Sequence, residues 1–190
     1  ILLLIWVGMT LVSGISKKHL LAFFLTSVVL FSLSWLFLFK DYQRDRILTF
    51  LNPLSDLQDS GYNAYQSTIA VGSGGFLGKG LGYGTQSRLN YLPEYETDFV
   101  FAAFSEEWGF VGSVFLFIFY GIVIYRVMLV ARYGSSNFEV LFAFGVATML
   151  MSHIVINIGM NIGLLPVTGI TLPFMSYGGS HLISEFLALG

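Results

Sequence analysis

Three carboxylates near the start of a long apolar segment are the first candidates for chemistry. Asp98 lies where a polar loop gives way to this segment, and Glu106 and Glu107 follow inside it. A membrane rarely holds such groups without a use for them. On an uninterrupted helix, Glu106 would lie about 80° around from Asp98, and Glu107 would lie on the opposite face. We therefore expect Asp98 to act as a general base, with Glu106 in the same cavity.

The same carboxylates also have a purely structural interpretation. Thr97 is a good N-cap, and a helix dipole favours an acid in the first turn by about 0.3–1 kcal/mol. Asp98 would then mark only the start of a helix. Glu106 would be structural as well, and Glu107 would pair with another helix.

A glycine-rich stretch with two basic residues precedes the carboxylates. Seven glycines fall between Gly72 and Gly84. The order fails the nucleotide P-loop pattern, because Gly80 follows Lys79 where Ser or Thr is required. Backbone amides together with Lys79 and Arg88 are suited to hold a pyrophosphate. The alternative is a flexible turn with solvated charges.

A polar stripe crosses a later apolar segment, with His153, Asn157 and Asn161 spaced i, i+4, i+8. Such a stripe usually makes hydrogen bonds between membrane helices, and the alternative is the wall of a substrate cavity. The other two histidines, His19 and His181, fall in separate segments, so no metal site is predicted. A loosely held Mg²⁺ or Mn²⁺ on carboxylates stays open as a cofactor.

The composition places these residues in a membrane protein. Of 190 residues, 55% are hydrophobic and 11% are charged, whereas an average soluble domain has about 25% charged residues. No basic cluster indicates a nucleic-acid partner. Five apolar segments predict an all-α, polytopic membrane helical bundle that forms a single domain, part of a longer protein. The predicted elements are a truncated helix at 1–14, membrane spans at 19–39, 98–132 and 138–162, a charged loop at 40–97 with short amphipathic surface pieces at 47–51 and 64–71, an irregular segment at 163–179 and a truncated helix at 180–190.

Basic residues predict the orientation of this bundle. Those that flank the two short loops should be cytoplasmic, and the loop 40–97 with Asp98 should then be extracytoplasmic. The segment 163–179 is uncharged but irregular, and such backbone is tolerated at membrane depth only against protein or a cavity. The flanking basic residues are Lys17, Lys18, Arg126 and Arg132.

Several short motifs, taken in order, resemble one known family. They are Lys-Asp-Tyr-Gln-Arg-Asp-Arg at 40–46, Ser-Gly-Gly at 73–75, Gly-Thr-Gln-Ser at 84–87, Leu-Pro-Glu at 92–94, Thr-Asp-Phe at 97–99, Glu-Glu at 106–107, Asn-Ile-Gly-Met at 157–160, Gly-Leu-Leu-Pro-Val-Thr-Gly at 163–169, Leu-Pro-Phe at 172–174 and Ser-Tyr-Gly-Gly-Ser at 176–180. In this order they resemble the SEDS family (shape, elongation, division and sporulation), whose members include RodA, FtsW and SpoVE. The motifs at 84–87 and 157–160 look closer to the RodA elongation branch.

The resemblance implies a bacterial inner-membrane peptidoglycan glycosyltransferase that polymerises lipid II. It implies a class B penicillin-binding protein, the transpeptidase, as partner. It also implies that Asp98, in the family's Thr-Asp-Phe motif, is required for activity. Basic loop residues or a divalent ion would neutralise the leaving pyrophosphate. The candidate substrate-binding residues are Glu106, Lys79, Arg88, Lys40, Arg44, Arg46, Ser176 and Asn157.

Two other functions stay open from the sequence. The first is a flippase for the lipid-linked precursor, because polar stripes and a broken helix also suit a translocation path. A transporter should, however, place its ionisable residues near the midplane of the membrane. The second is a scaffold that recruits a transpeptidase through glycine-bearing helix faces. A scaffold alone would need neither Asp98 nor Glu106.

Overall fold

The computed structural model describes residues 1–13, 16–37, 60–88, 92 and 94–190. Every regular element in these residues is a helix, as the all-α prediction requires. The helices are α1 (Leu2–Val12), α2 (Lys17–Phe37), α3 (Ser60–Ser73), α4 (Thr85–Arg88), α5 (Val100–Tyr133), α6 (Asn137–Asn161) and α7 (Gly179–Leu189).

Helices α5 and α6 are long and apolar enough to cross a membrane, with mean hydropathies of 2.4 and 1.9. Their bounds lie within two residues of the predicted spans at 98–132 and 138–162. Helix α2 begins two residues before the predicted span at 19–39, whose last two residues lie outside the described residues. The predicted truncated helices at 1–14 and 180–190 correspond to α1 and α7.

The segment predicted as a charged loop contains two helices, α3 and α4, in its described part. The predicted amphipathic piece at 64–71 lies within α3, which packs against α5 and α6. Ser67 and Ala70 of α3 are fully buried, and the Ser67 hydroxyl donates to the Asn161 carbonyl at 3.2 Å. The predicted piece at 47–51 lies outside the described residues.

Helices α5 and α6 form an antiparallel hairpin that carries the core. At the turn between them, Ser136 Oγ accepts the Glu139 N–H at 3.2 Å, and the Glu139 carboxylate accepts the Ser135 N–H at 2.8 Å. This reciprocal capping pairs donors at the start of α6 that the helix cannot satisfy itself. Buried residues of the hairpin meet the irregular segment in one apolar cluster, whose members are Phe101, Tyr120, Ile154 and Leu172.

A glycine interrupts α5 nine residues after its start. Gly109 has φ 66° and ψ −163°, a backbone conformation that is essentially restricted to glycine. The helix ladder breaks there, and the glycine-rich loop after α3 pairs the groups that the break leaves open. The pairs are Lys79 N to Glu106 O at 3.0 Å, Gly80 N to Glu107 O at 3.0 Å, Phe110 N to Gly75 O at 2.9 Å and Val111 N to Phe76 O at 3.1 Å.

This docking requires glycine on both sides of the contact. A Cβ on Gly78 would overlap the Glu107 carbonyl, and a Cβ on Gly109 would overlap the Gly78 nitrogen. The glycine-rich stretch is therefore a docked segment held by main-chain hydrogen bonds, and it is not a free turn.

We predict that Gly109→Ala lowers the free energy of unfolding of the full-length protein by at least about 2 kcal/mol, from backbone strain and the Cβ overlap. The measurement is the thermal unfolding midpoint of purified protein in detergent. Gly121→Ala is the matched control, because nothing lies within 4 Å of its added Cβ in the same helix. Equal midpoints for the two variants would contradict the role of Gly109.

Candidate active site

Asp98 lies in a tight turn that ends just before α5 begins. The Thr97 and Phe99 N–H groups both donate to the Glu94 carbonyl, at 3.1 Å and 3.2 Å. Helix α5 starts at Val100, without a side-chain cap and without an acid in its first turn. Asp98 is therefore not a helix-start residue. The helical-wheel angle between Asp98 and Glu106 also does not apply, because Asp98 precedes the helix.

The turn is held from one side by two amides of α6. Asn157 Nδ2 and Asn161 Nδ2 both donate to the Asp98 carbonyl, at 2.9 Å and 3.1 Å. The two asparagines are fully buried, and Asn161 Oδ1 also accepts the Ala102 N–H at 3.1 Å. The expected bonding between helices is thus present at Asn161, whose side chain meets Ala102 of α5. The Asn157 amide instead bonds to the turn and to the irregular segment after α6. His153 differs, since its Nδ1 lies 2.9 Å from the Met149 carbonyl of its own helix.

The irregular segment between α6 and α7 holds the same turn from another side. The Ser176 hydroxyl donates to the Thr97 carbonyl at 2.6 Å and accepts the Leu172 N–H at 2.7 Å. Tyr177 N–H donates to the Glu96 carbonyl at 2.8 Å. Asn157 joins this segment to the turn, because its amide also donates to the Ile170 carbonyl at 2.7 Å. These contacts give the irregular backbone a protein surface to pack on, which is what such backbone requires wherever it lies at membrane depth.

A glycine of this segment lies directly against the Asp98 carboxylate. Gly169 has φ +68°, and a Cβ there would lie 3.3 Å from Asp98 Oδ2. Asp98 is half-buried. Its surroundings therefore combine neutral amides on the carbonyl, close backbone beside the carboxylate and partial access to solvent. Such a carboxylate can take a proton from a substrate hydroxyl.

Glu106 and Lys79 form a separate buried cluster under the glycine-rich loop. Lys79 Nζ lies 2.7 Å from Glu106 Oε1, and the Glu106 side chain is fully buried. The same carboxylate accepts the Thr85 N–H and hydroxyl, both at 2.9 Å, and the Gln86 N–H at 3.1 Å. Every one of these partners comes from the glycine-rich loop or α4, and none comes from the turn that carries Asp98.

The remaining candidates are placed only in part. Glu107 bonds to the loop at the Gly82 N–H, 3.1 Å away, and the pairing with another helix that we expected is not what the described residues show. The N–H groups of Lys79, Gly80 and Gly82 bond to α5, so they do not point as donors into a phosphate site. Lys40, Arg44 and Arg46 lie outside the described residues, and the Arg88 side chain is not described although its backbone belongs to α4.

The described residues do not assemble a cation site. No group of three or more His, Cys, Asp or Glu side chains lies close enough to hold a metal in that part of the chain.

An open groove of about 800 Å³ lies between the Asp98-bearing turn and the start of α7. Apolar side chains form most of its walls, and Glu96, Glu107 and Ser176 add polar atoms. Its size and lining suit an amphipathic ligand. The apolar residues of the lining are Val100, Ala103, Phe104, Phe174, Met175 and Leu182.

Two residues near the site were not singled out from the sequence. Gly169 gave no signal, because its contact with Asp98 depends on the path of the irregular segment. Glu185 of α7 did give one, as an acid within an apolar helix. It is 3% exposed and accepts the Phe174 N–H at 3.0 Å.

The chain is similar in sequence to several known proteins. The chain is 46% identical over 156 residues to peptidoglycan glycosyltransferase MrdB of Escherichia coli (strain K12), which covers 82% of the chain and 42% of that protein. It is 40% identical over 182 residues to stage V sporulation protein E of Bacillus subtilis (strain 168), covering 96% of the chain and 49% of that protein. The chain thus spans about half the length of the curated relatives it matches.

A solved structure supports the same relationship. It concerns the structural coordination of polymerization and crosslinking by a peptidoglycan synthase complex, and one of its chains matches with a TM-score of 0.77 at 32% identity. The match covers 98% of this chain and 51% of that one. A family model described as "Cell cycle protein", which spans FtsW, RodA and SpoVE, matches residues 1–190. The chain therefore belongs to the FtsW/RodA/SpoVE family of cell cycle proteins.

Proposed function

We propose that the whole protein is a peptidoglycan glycosyltransferase that polymerises lipid II during cell elongation, and that Asp98 is its catalytic base. The observation that carries the proposal is the support of Asp98. Asn157 and Asn161 fix its backbone carbonyl, and Gly169 brings the irregular segment against its carboxylate. The name of the relative in E. coli, a peptidoglycan glycosyltransferase, agrees with this activity.

The proposed step is a displacement at an anomeric carbon. The Asp98 carboxylate takes the proton of an acceptor sugar hydroxyl, and the acceptor oxygen forms the new bond to the donor sugar. The bond from that carbon to the lipid pyrophosphate breaks, and the pyrophosphate leaves with the electron pair. Lys79 is already paired with Glu106, so we assign the neutralising role to the remaining basic candidates. These are Arg88, Lys40, Arg44 and Arg46.

The proposed setting follows from the substrate and the relatives. A lipid-anchored sugar substrate needs a site at the edge of the bilayer, and the groove beside the Asp98 turn offers apolar walls with a polar rim. We propose that this edge is the extracytoplasmic face of the bacterial inner membrane. The related structure is a synthase complex, which supports a class B penicillin-binding protein as partner.

The first prediction concerns Asp98. In the full-length protein with its cognate transpeptidase, we expect Asp98→Asn to lower lipid II polymerisation about 100-fold or more, the usual contribution of a general base. The measurement is glycan polymer on a gel, from purified lipid II in detergent. Glu139→Gln is the control, because this exposed carboxylate lies in the first turn of α6, beside the end of α5 that is opposite Asp98.

Three results would separate the candidate functions. Polymer from wild type and from Glu139→Gln alone supports the enzyme. Wild-type-like polymer from Asp98→Asn would remove Asp98 from the mechanism. Bound lipid II without polymer from any variant would favour the flippase, which a translocation assay in liposomes would then test.

A second prediction concerns the link between the irregular segment and the Asp98 turn. Ser176→Ala removes the donor to the Thr97 carbonyl and the acceptor for the Leu172 N–H. The bond to the Thr97 carbonyl is the one that reaches the Asp98 turn, and its loss at about 1–1.5 kcal/mol corresponds to about a tenfold lower turnover, with the KM for lipid II little changed. Ser184→Ala is the control, because its hydroxyl is exposed and bonds only within α7. Equal turnover in the two variants would contradict the link.

A third prediction assigns Glu106 and Lys79 a structural role. Lys79→Met leaves the buried Glu106 charge without its partner, and we expect a loss of about 2 kcal/mol in the free energy of unfolding. This lies below the roughly 3–5 kcal/mol of a fully buried pair, because Lys79 is 29% exposed. Adding Glu106→Gln should restore most of the thermal midpoint and leave the KM for lipid II unchanged. A large rise in that KM in the stable double variant would instead place the pair in substrate binding.

A further inference from the structure

A second polar cluster lies around the peptide bond between Pro173 and Phe174. Tyr120 of α5 donates its hydroxyl to the Pro173 carbonyl at 2.6 Å. Glu185 of α7 accepts the Phe174 N–H at 3.0 Å. The two side chains are only 7% and 3% exposed. The two polar atoms of a single peptide group are therefore each held by a different helix.

This peptide group leads into a backbone conformation that needs external support. Phe174 has φ +61°, which a bulky residue rarely adopts. Such conformations persist when the surrounding structure fixes them on several sides. Rotation of the peptide plane would remove both hydrogen bonds at once and leave buried polar groups on Tyr120, Glu185 and the backbone without partners.

The orientation of this peptide is passed on to the Asp98 turn. Leu172 and Ser176 flank it in the chain, and Ser176 Oγ accepts the Leu172 N–H at 2.7 Å. The same hydroxyl donates to the Thr97 carbonyl at 2.6 Å. A change at Pro173–Phe174 therefore moves the hydroxyl that holds the residue before Asp98.

Two histidines lie close to Glu185, although His181 Nδ1 makes no hydrogen bond among the described residues. His181 Nδ1 lies 3.1 Å from Glu185 Oε1, and the His153 ring of α6 lies 5.5 Å from the His181 ring, centroid to centroid. An acid within an apolar helix is costly unless a partner faces it. The proposed glycosyl transfer uses none of these side chains, so their burial calls for another role.

We propose that Tyr120 and Glu185 are positioning residues that clamp the Pro173–Phe174 peptide and, through Ser176, fix the backbone beside Asp98. The clamp is a positioning role within the glycosyl transfer and rests on the proposed function, in which Asp98 is the base.

The kinetic test compares four variants of the full-length protein with its transpeptidase. Tyr120→Phe removes only the hydroxyl, Glu185→Leu removes the acceptor at similar volume, and Glu185→Gln keeps one acceptor oxygen. We expect Tyr120→Phe and Glu185→Leu each to lower kcat about tenfold with KM for lipid II within about twofold, and Glu185→Gln to stay within about threefold of wild type. The kcat of the double variant Tyr120→Phe/Glu185→Leu should be no more than about twofold below that of the less active single variant, because both changes release the same peptide.

Two kinetic results would overturn the proposal. One is a kcat for Glu185→Leu within about twofold of wild type. The other is a double variant about 100-fold below wild type, since additive losses indicate independent effects on the fold.

Amide hydrogen exchange tests the clamp without activity. In Glu185→Leu and Tyr120→Phe, we expect faster exchange at 172–178 and at 94–99, with Glu185→Gln near wild type and residues 134–139 unchanged. A wild type that makes no polymer would defeat the proposed function and leave the clamp to be judged by exchange alone. Unchanged exchange at 172–178, or faster exchange throughout the chain, would overturn the clamp.

Discussion

Backbone hydrogen bonding within apolar surroundings is the constraint on which this structure depends. Lipid and apolar side chains offer no partners to a peptide group, so each irregular stretch of backbone needs a partner from elsewhere in the chain. Three irregular stretches of backbone obtain their hydrogen-bond partners in three different ways. The glycine-rich loop pairs the gap at Gly109, the amides of α6 pair the carbonyl of Asp98, and Tyr120 and Glu185 pair the peptide at Pro173–Phe174.

The two main carboxylates of α5 and its leading turn receive different treatment. Glu106 is surrounded by donors, including a lysine and two backbone N–H groups, and is fully buried. Asp98 is half-buried and is fixed by its main-chain carbonyl, which the two asparagines hold. The described contacts of Asp98 thus fix the backbone that carries it, whereas those of Glu106 surround the carboxylate itself. Two acids in environments that differ in this way are suited to different roles.

The long helices α2, α5 and α6 were predictable from the sequence because long apolar segments separated by short polar turns fix their bounds. Helices α3 and α4 were not, since they lie in the segment predicted as a loop. The Thr-Asp-Phe motif also placed Asp98 at a boundary between loop and helix. The relation of Asp98 to Glu106 was not predictable, since the helical wheel assumed a helix that in fact begins two residues later. Docking of the glycine-rich loop was hidden for a similar reason. It depends on the conformation of Gly109, which an apolar pattern does not reveal.

The residues that support the site differ in how far apart they lie in the sequence. This distance decides which of them could be predicted from the sequence. Asn157 and Asn161 share one helix face, so their spacing indicated a common function before their partner was known. Tyr120 and Glu185 bind the same peptide group, although neither residue is its neighbour in the sequence. Only the path of the irregular segment brings them together. Long-range contacts of this kind follow from topology and have no local pattern.

The break at Gly109 has a consequence for how the protein enters the membrane. Two carbonyls and two N–H groups of α5 have their partners at residues 75–80, and each would cost several kcal/mol if left open in hydrocarbon. A ribosome makes those partners before it makes α5. The helix can therefore enter the bilayer against a segment that has already been synthesised. The order of elements along the chain matches the order in which they need one another during biogenesis.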